Sequence, residues 1–120
     1  AKFNIVDLAD LAEAVANVST TDGHEFATYQ LAGPQALNQI EMARIISEET
    51  GKPIVAEPKH VDEFSSAAQK NGMPPDRIVQ LCIMNEHYNK HGLKGNSNVL
   101  EWILDRPATT FATYIKNNLV

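Results

Sequence analysis

The side chains best suited to chemistry cluster in residues 87–95 of this 120-residue sequence. His87 and His91 stand four apart, a spacing that on a helix puts both rings on one face. Imidazole pairs so spaced can bind zinc, but Tyr88 follows the first where a metalloprotease needs its glutamate base, so H-E-x-x-H is absent. His91 would also occupy the last turn of that helix, where its ring complements the helix dipole without any metal. The expectation is no metal site, with melting unchanged by removal of zinc. Gly92-Leu93-Lys94-Gly95 forms a Gly-x-x-Gly turn flanked by Lys90, His91 and Lys94. Such turns clamp nucleic-acid backbone in one class of RNA-binding domain. Here the first glycine simply ends a helix, and 15 Asp+Glu against 10 Lys+Arg give a net charge of -5. That is the wrong field for a polyanion or an anionic membrane surface.

Searches for a nucleophile or an acid–base pair come back empty. Ser19, Ser47, Ser65, Ser66 and Ser97 fall at caps or within helices, and none lies in a G-x-S-x-G turn. Cys82, the single cysteine, sits in an apolar run and reads as an inert core thiol. One cysteine builds neither an intrachain disulfide nor a cysteine zinc site, which fits a reducing cytoplasm. Asp7 with Asp10, and Glu48 with Glu49, read as helix ends and solvated faces. Glycines 23, 33, 51, 72, 92 and 95 contain no G-x-G-x-x-G. No catalytic or cofactor-binding residue is therefore assigned.

The elements around these residues are well punctuated. Hydrophobic residues at 43% and charged residues at 21% suit a single globular domain. Asp7 precedes Leu8, Leu11, Ala12, Val15 and Val18, with Asp10 at the capping-box position, which predicts a helix over 7–20. Asn38 with Glu41 repeats the pattern, and Gly51-Lys52-Pro53 closes a helix over 38–50. Alternation at Ala27, Tyr29 and Leu31 before Gly33-Pro34 predicts a strand over 27–32, and Ile54–Glu57 a second. Asp62 is expected to cap a short helix holding Phe64, Ala67 and Ala68. Pro74-Pro75 opens a helix ending at His91, whose Ile78, Val79, Leu81, Cys82, Ile83 and Met84 are apolar nearly all round, so it should be the most buried element. Ser97 is expected to cap a helix with Leu100 and Trp102, and Thr109 or Thr110 a last one with Phe111, Ile115 and Leu119. The reading is helix-dominated α+β with two or three short strands. So few strands make no self-sufficient sheet, and the surface anticipates a partner. No run of about 18 apolar residues spans a membrane, and no signal-peptide core opens the chain. The chain starts with Ala rather than Met, which leaves room for an excised piece.

Three motifs then stand in order: Val6-Asp7-Leu8-Ala9-Asp10-Leu11-Ala12, Tyr29-Gln30-Leu31-Ala32-Gly33-Pro34-Gln35-Ala36-Leu37, and Asp105-Arg106-Pro107-Ala108-Thr109-Thr110-Phe111. Together they resemble the C-terminal part of NmrA-like proteins, atypical short-chain dehydrogenase/reductases that include a NAD(P)H-binding quinone reductase type. The resemblance covers residues 3–116. Gln35 stands where that family usually has Glu and Asp105 where Gly is frequent, both read as surface-turn changes. The Tyr-x-x-x-Lys pair of typical short-chain dehydrogenases is missing, because Gly33, Gly92 and Asn118 lie four after Tyr29, Tyr88 and Tyr114.

The resemblance implies that residues 1–120 are one lobe, the substrate-side C-terminal part of a Rossmann-type NAD(P)-binding protein whose N-terminal half is absent. NADP or NAD would be held by that half and no cofactor by this one. The intact protein would reduce a small, quinone-like molecule or sense the redox state of NAD(P). Residues expected to line the substrate pocket are His60, Phe64, Met84 and Tyr88, which combine apolar bulk with polar tips near helix ends. The strand of residues 27–31 would join the Rossmann sheet, and without it would pair with a second copy in a homodimer or rearrange its local packing. The competing expectation is a standalone helical protein-interaction module without catalysis.

Overall fold

Asp7 begins the first helix as its spacing predicts, but by a different set of bonds. The computed structural model describes residues 1–120. The helix α1 covers Leu8–Thr20, and the Asp7 carboxylate accepts from the backbone N–H of Ala9. Asp10 does not complete the capping box; its carboxylate is turned inward and buried. The helix α2, Gln39–Thr50, has the full reciprocal box: Asn38 Oδ1 accepts from Glu41 N, and Glu41 Oε2 accepts from Asn38 N. Gly51 ends it in the left-handed conformation that glycine tolerates best.

The helix α3 spans Val61–Lys70 and α4 spans Pro75–His91. The cap of α3 is His60, whose Nδ1 accepts from Asp62 N, two residues before the aspartate expected there. Helices α5, Asn98–Leu104, and α6, Phe111–Leu119, complete the set. Thr110 caps α6 by accepting from Thr113 N. Ser97 flanks α5 without a side-chain cap bond, and Asn96 Oδ1 accepts from Asn98 N instead.

Both predicted strands are corrected. The strands present are β1, Phe3–Asn4, and β2, Ala36–Leu37, paired antiparallel with Phe3 opposite Leu37. Residues 27–32 form no ladder, because a strand needs a neighbouring backbone and this chain supplies none there. Tyr29 is held by its side chain instead. Thr21 Oγ1 donates to Asn17 O and accepts from His24 Nε2, leaving His24 Nδ1 to accept from the Tyr29 hydroxyl at 2.8 Å. Residues 54–57 also lack strand pairing; Ile54 N and O both bond the Ser47 hydroxyl at the end of α2.

The helices pack as three pairs, α1 with α5, α2 with α6 and α3 with α4. The core is small: Ala14, Leu100, Leu104 and Ala108, with Val6, Leu31 and Ile103 against it. The expectation that α4 is the most buried element is wrong. Of its apolar residues Ile78 alone is fully buried, while Val79, Ile83 and Met84 are 57%, 62% and 40% exposed. An apolar helix packed against one neighbour is covered on one side only.

The overall dimensions tell the same story. The radius of gyration is 17.2 Å, against about 14 Å for a compact chain of this length. The accessible surface is 8631 Å², where a compact protein of 13.2 kDa would show roughly 6,400 Å². The excess, roughly 2,200 Å² in total, is of the size that an obligate interface buries.

Candidate functional site

The sequence motifs, distant along the chain, meet at the N-terminus of α6. Arg106 Nη2 donates to Asp10 Oδ1 at 2.8 Å, and Arg106 also pairs with Glu13 one turn on. Thr109 donates twice to Asp10, from its backbone N at 2.6 Å and its hydroxyl at 3.0 Å. Burial alone would raise the Asp10 carboxyl, but the bonds from Arg106 and Thr109 outweigh it and hold the group below its ordinary value. The same two carboxylates push the Arg106 guanidinium further up. Gln35, from the middle motif, accepts from Phe111 N at 3.2 Å. It is half-buried and ties its turn to the start of α6, so the reading of it as a surface change is corrected. Asp105 is exposed and occupies the left-handed region, φ 55°, which accounts for glycine there in the resembling family.

A second junction is built on Asn4. Its N donates to Leu93 O, its O accepts from Gly33 N, its Nδ2 donates to Gly33 O, and its Oδ1 accepts from Gly95 N. One asparagine thus joins β1 to the Gly33-Pro34 turn and to Gly92–Gly95. A Cβ on Gly33 would lie 1.5 Å from Ile5 O, and one on Gly92 would lie 2.4 Å from Lys2 O. The Gly-x-x-Gly turn is therefore a place where backbones approach closely.

Between these junctions opens a cleft of about 350 Å³. The segment Ile5–Leu8 forms one wall, and Thr109, Thr110, Phe111, Tyr114 and Asn118 form the other. A second groove, about 440 Å³, lies between α2 and α4 and is lined by Phe3, Asn38, Ile40, Asn85, Tyr88 and Asn89, among others. The Tyr88 ring meets Phe3 edge to face at 5.9 Å.

Of the four residues expected to line a pocket, Tyr88 faces this groove and the others lie elsewhere. His60 caps α3 at the surface and stands 3.3 Å from the Asp62 carboxylate. Phe64 is half-buried on α3, and Met84 is exposed on α4. The Asp10–Arg106–Thr109 cluster and the Asn4 junction were not anticipated. An acid in the first motif and an arginine in the last were the available signal for the first; the second had none.

Five of the six helices carry an acidic residue in the first turn, namely Asp10, Glu41, Asp62 with Glu63, Asp76 and Glu101. An acidic side chain in the first turn complements the positive end of the helix dipole. No three His, Cys, Asp or Glu side chains converge on a common metal position. No helix is long and apolar enough to cross a membrane.

No protein-family model matches the chain. Quinone oxidoreductase 2 of Escherichia coli is 28% identical over 109 residues, covering 91% of this chain and 38% of that protein. NAD(P)H azoreductase of Xenophilus azovorans is 30% identical over 118 residues, covering 96% and 40%. Among solved structures, an NADPH-dependent quinone oxidoreductase from Escherichia coli superposes with TM-score 0.82 at 27% identity, over 99% of this chain and 43% of that one. The Citrobacter sp. triphenylmethane reductase complexed with NADP(H) gives 0.79 at 28%, over 97% and 40%. The chain is similar to the C-terminal part of NAD(P)-binding reductases of the NmrA-like kind. It spans about 40% of the length of the curated relatives it matches, and its fold is the helix-dominated C-terminal part of their Rossmann-like architecture.

Proposed function

We propose that residues 1–120 form the substrate-side lobe of a longer NAD(P)H-dependent reductase acting on a small, flat, quinone-like molecule in the cytoplasm. The observation that carries this is the uncovered surface. A chain matching two-fifths of reductases named for NAD(P)H or found with NADP(H) exposes about an interface's worth of excess area. Its apolar α4 is half-covered, and its residues 28–32 bond no other backbone.

In this division of labour the absent N-terminal half holds the dinucleotide. The α3–α4 pair supplies pocket wall and excludes water around the transferred hydride. His60, Phe64, Met84 and Tyr88 remain the pocket-lining residues of this proposal, brought to a common cavity when the other half docks. A single unpaired cysteine, Cys82, suits a reducing compartment.

The test is NADPH oxidation by the longer protein across a panel of quinones. Turnover that loses KM more than kcat on substitution of Tyr88 by Ala supports the proposal. Dinucleotide binding without turnover on any quinone supports a redox sensor instead. The 120-residue chain alone should bind no NADPH, and measurable affinity would overturn the assignment of the cofactor to the other half. Alone, the chain should dimerise through residues 27–31, with Tyr29 and Leu31 at the seam. A concentration-independent monomer by light scattering contradicts that part.

A further inference from the structure

We propose that His87 and His91 form a two-imidazole chelate for a divalent transition ion, copper(II) in preference to zinc(II). The two ring centroids lie 4.7 Å apart with their planes at 46°. A metal about 2.05 Å from each nitrogen sits about 3.2 Å from each centroid. The centroids are then about 4.5 Å apart for ligands at right angles and about 5.2 Å apart at the tetrahedral angle. The observed separation falls within that span, so the two rings stand close enough to share one ion.

Both residues are exposed, so the rings can turn toward a shared ion without disturbing packing. His24 and His60, by contrast, commit ring nitrogens to Thr21, Tyr29 and the backbone N–H of Asp62. The helix turn that carries the pair is already formed. Gly92 N donates to Tyr88 O at 2.7 Å, and Leu93 beyond it bonds Lys2 and Asn4.

Zinc prefers three or four protein ligands, and no third His, Cys, Asp or Glu joins this pair. Two nitrogens completed by water suit copper(II), which also stands highest in the divalent affinity series. Binding would clip the last turn of α4 and steady the Gly92–Gly95 connection to β1.

The experiment is a copper(II) titration of the 120-residue chain, followed by equilibrium dialysis and electron paramagnetic resonance. Saturable uptake of one ion with a two-nitrogen signature is expected, with zinc(II) binding more weakly. His87→Gln and His91→Gln should each weaken copper binding by roughly tenfold or more, because each removes the chelate's local concentration advantage. His24→Gln and His60→Gln should leave it unchanged. Wild-type affinity in either His87→Gln or His91→Gln overturns the proposal, as does the absence of saturable uptake. All four histidines are at or near the surface, and circular dichroism of each variant checks that the fold is retained.

Discussion

Arg106 and Asp10 lie 96 positions apart and meet at 2.8 Å, joining the end of α5 to the first turn of α1. The carboxylate is buried while the guanidinium keeps a 40% exposed side chain, so the pair is shielded on one side only. Thr109 donates twice to the same carboxylate and itself lines the 350 Å³ cleft, so the cluster fixes one residue of that wall.

Removing Asp10 should be among the costliest single polar changes in the chain. Asp10→Ala strips an acceptor from Arg106 and from both Thr109 donors, a loss of about 2–4 kcal/mol. Asp10→Asn keeps the shape and part of the bonding and should cost less. Urea unfolding followed by circular dichroism checks the order; a change within experimental error for Asp10→Ala would contradict it.

Stability should fall in acid, with the sign set by two depressed carboxylates. Asp10 and Glu41 both lie below their ordinary values of 3.8 and 4.5. For Glu41 the leading cause is the backbone N–H of Asn38, then Lys2. A carboxylate held low in the folded state contributes its stabilisation above its unfolded value. That contribution is lost as pH drops through the folded value, here below 4.5 for Glu41 and below 3.8 for Asp10. Acid titration of wild type against Asp10→Asn should show a shallower decline in the variant below pH 3.8.

Gly33→Ala should disrupt the Asn4 junction rather than merely weaken it. The added carbon falls 1.5 Å from Ile5 O, a backbone atom that cannot rotate away. A loss of about 3 kcal/mol or more is expected. Amide exchange at Asn4 and Gly33 should accelerate ahead of exchange in α1; unchanged protection there would refute the steric account.

Restoring the residues common in the resembling family should stabilise the chain. Gln35→Glu places a charge on the N–H of Phe111 at the positive end of α6, a gain of about 0.3–1 kcal/mol. Asp105→Gly relieves a left-handed backbone at the end of α5, a gain of about 0.5 kcal/mol after the added chain entropy is counted. Thermal melting of each variant reads both effects, and a lower midpoint in either is the contrary result.

Local chemistry was legible in the sequence where a side chain bonds its own neighbourhood. Asn38 with Glu41, Gly51, Pro75 and Thr110 all do what their types and offsets dictate. Residues 27–32 misled because alternation records apolar and polar sides without supplying a neighbouring backbone, and none lies beside them here. The apolar run of α4 misled for the same reason: composition foretells burial without saying what buries it. Asp10 was read as half of a capping box because sequence offsets cannot reveal an arginine arriving from 96 residues away. His60 as the α3 cap escaped notice because imidazole is an uncommon cap and Asp62 stood close by.

The α3–α4 pair packs chiefly on itself and reaches the remaining helices through the Tyr88–Phe3 contact and the backbone of Leu93. Such a hairpin opens and closes as its own cooperative unit. Its one covalent tie to the Asn4 junction runs through Gly92–Gly95, while the Asp10 clasp lies apart from it. Loosening of this arm should therefore precede unfolding of the α1–α5 pair.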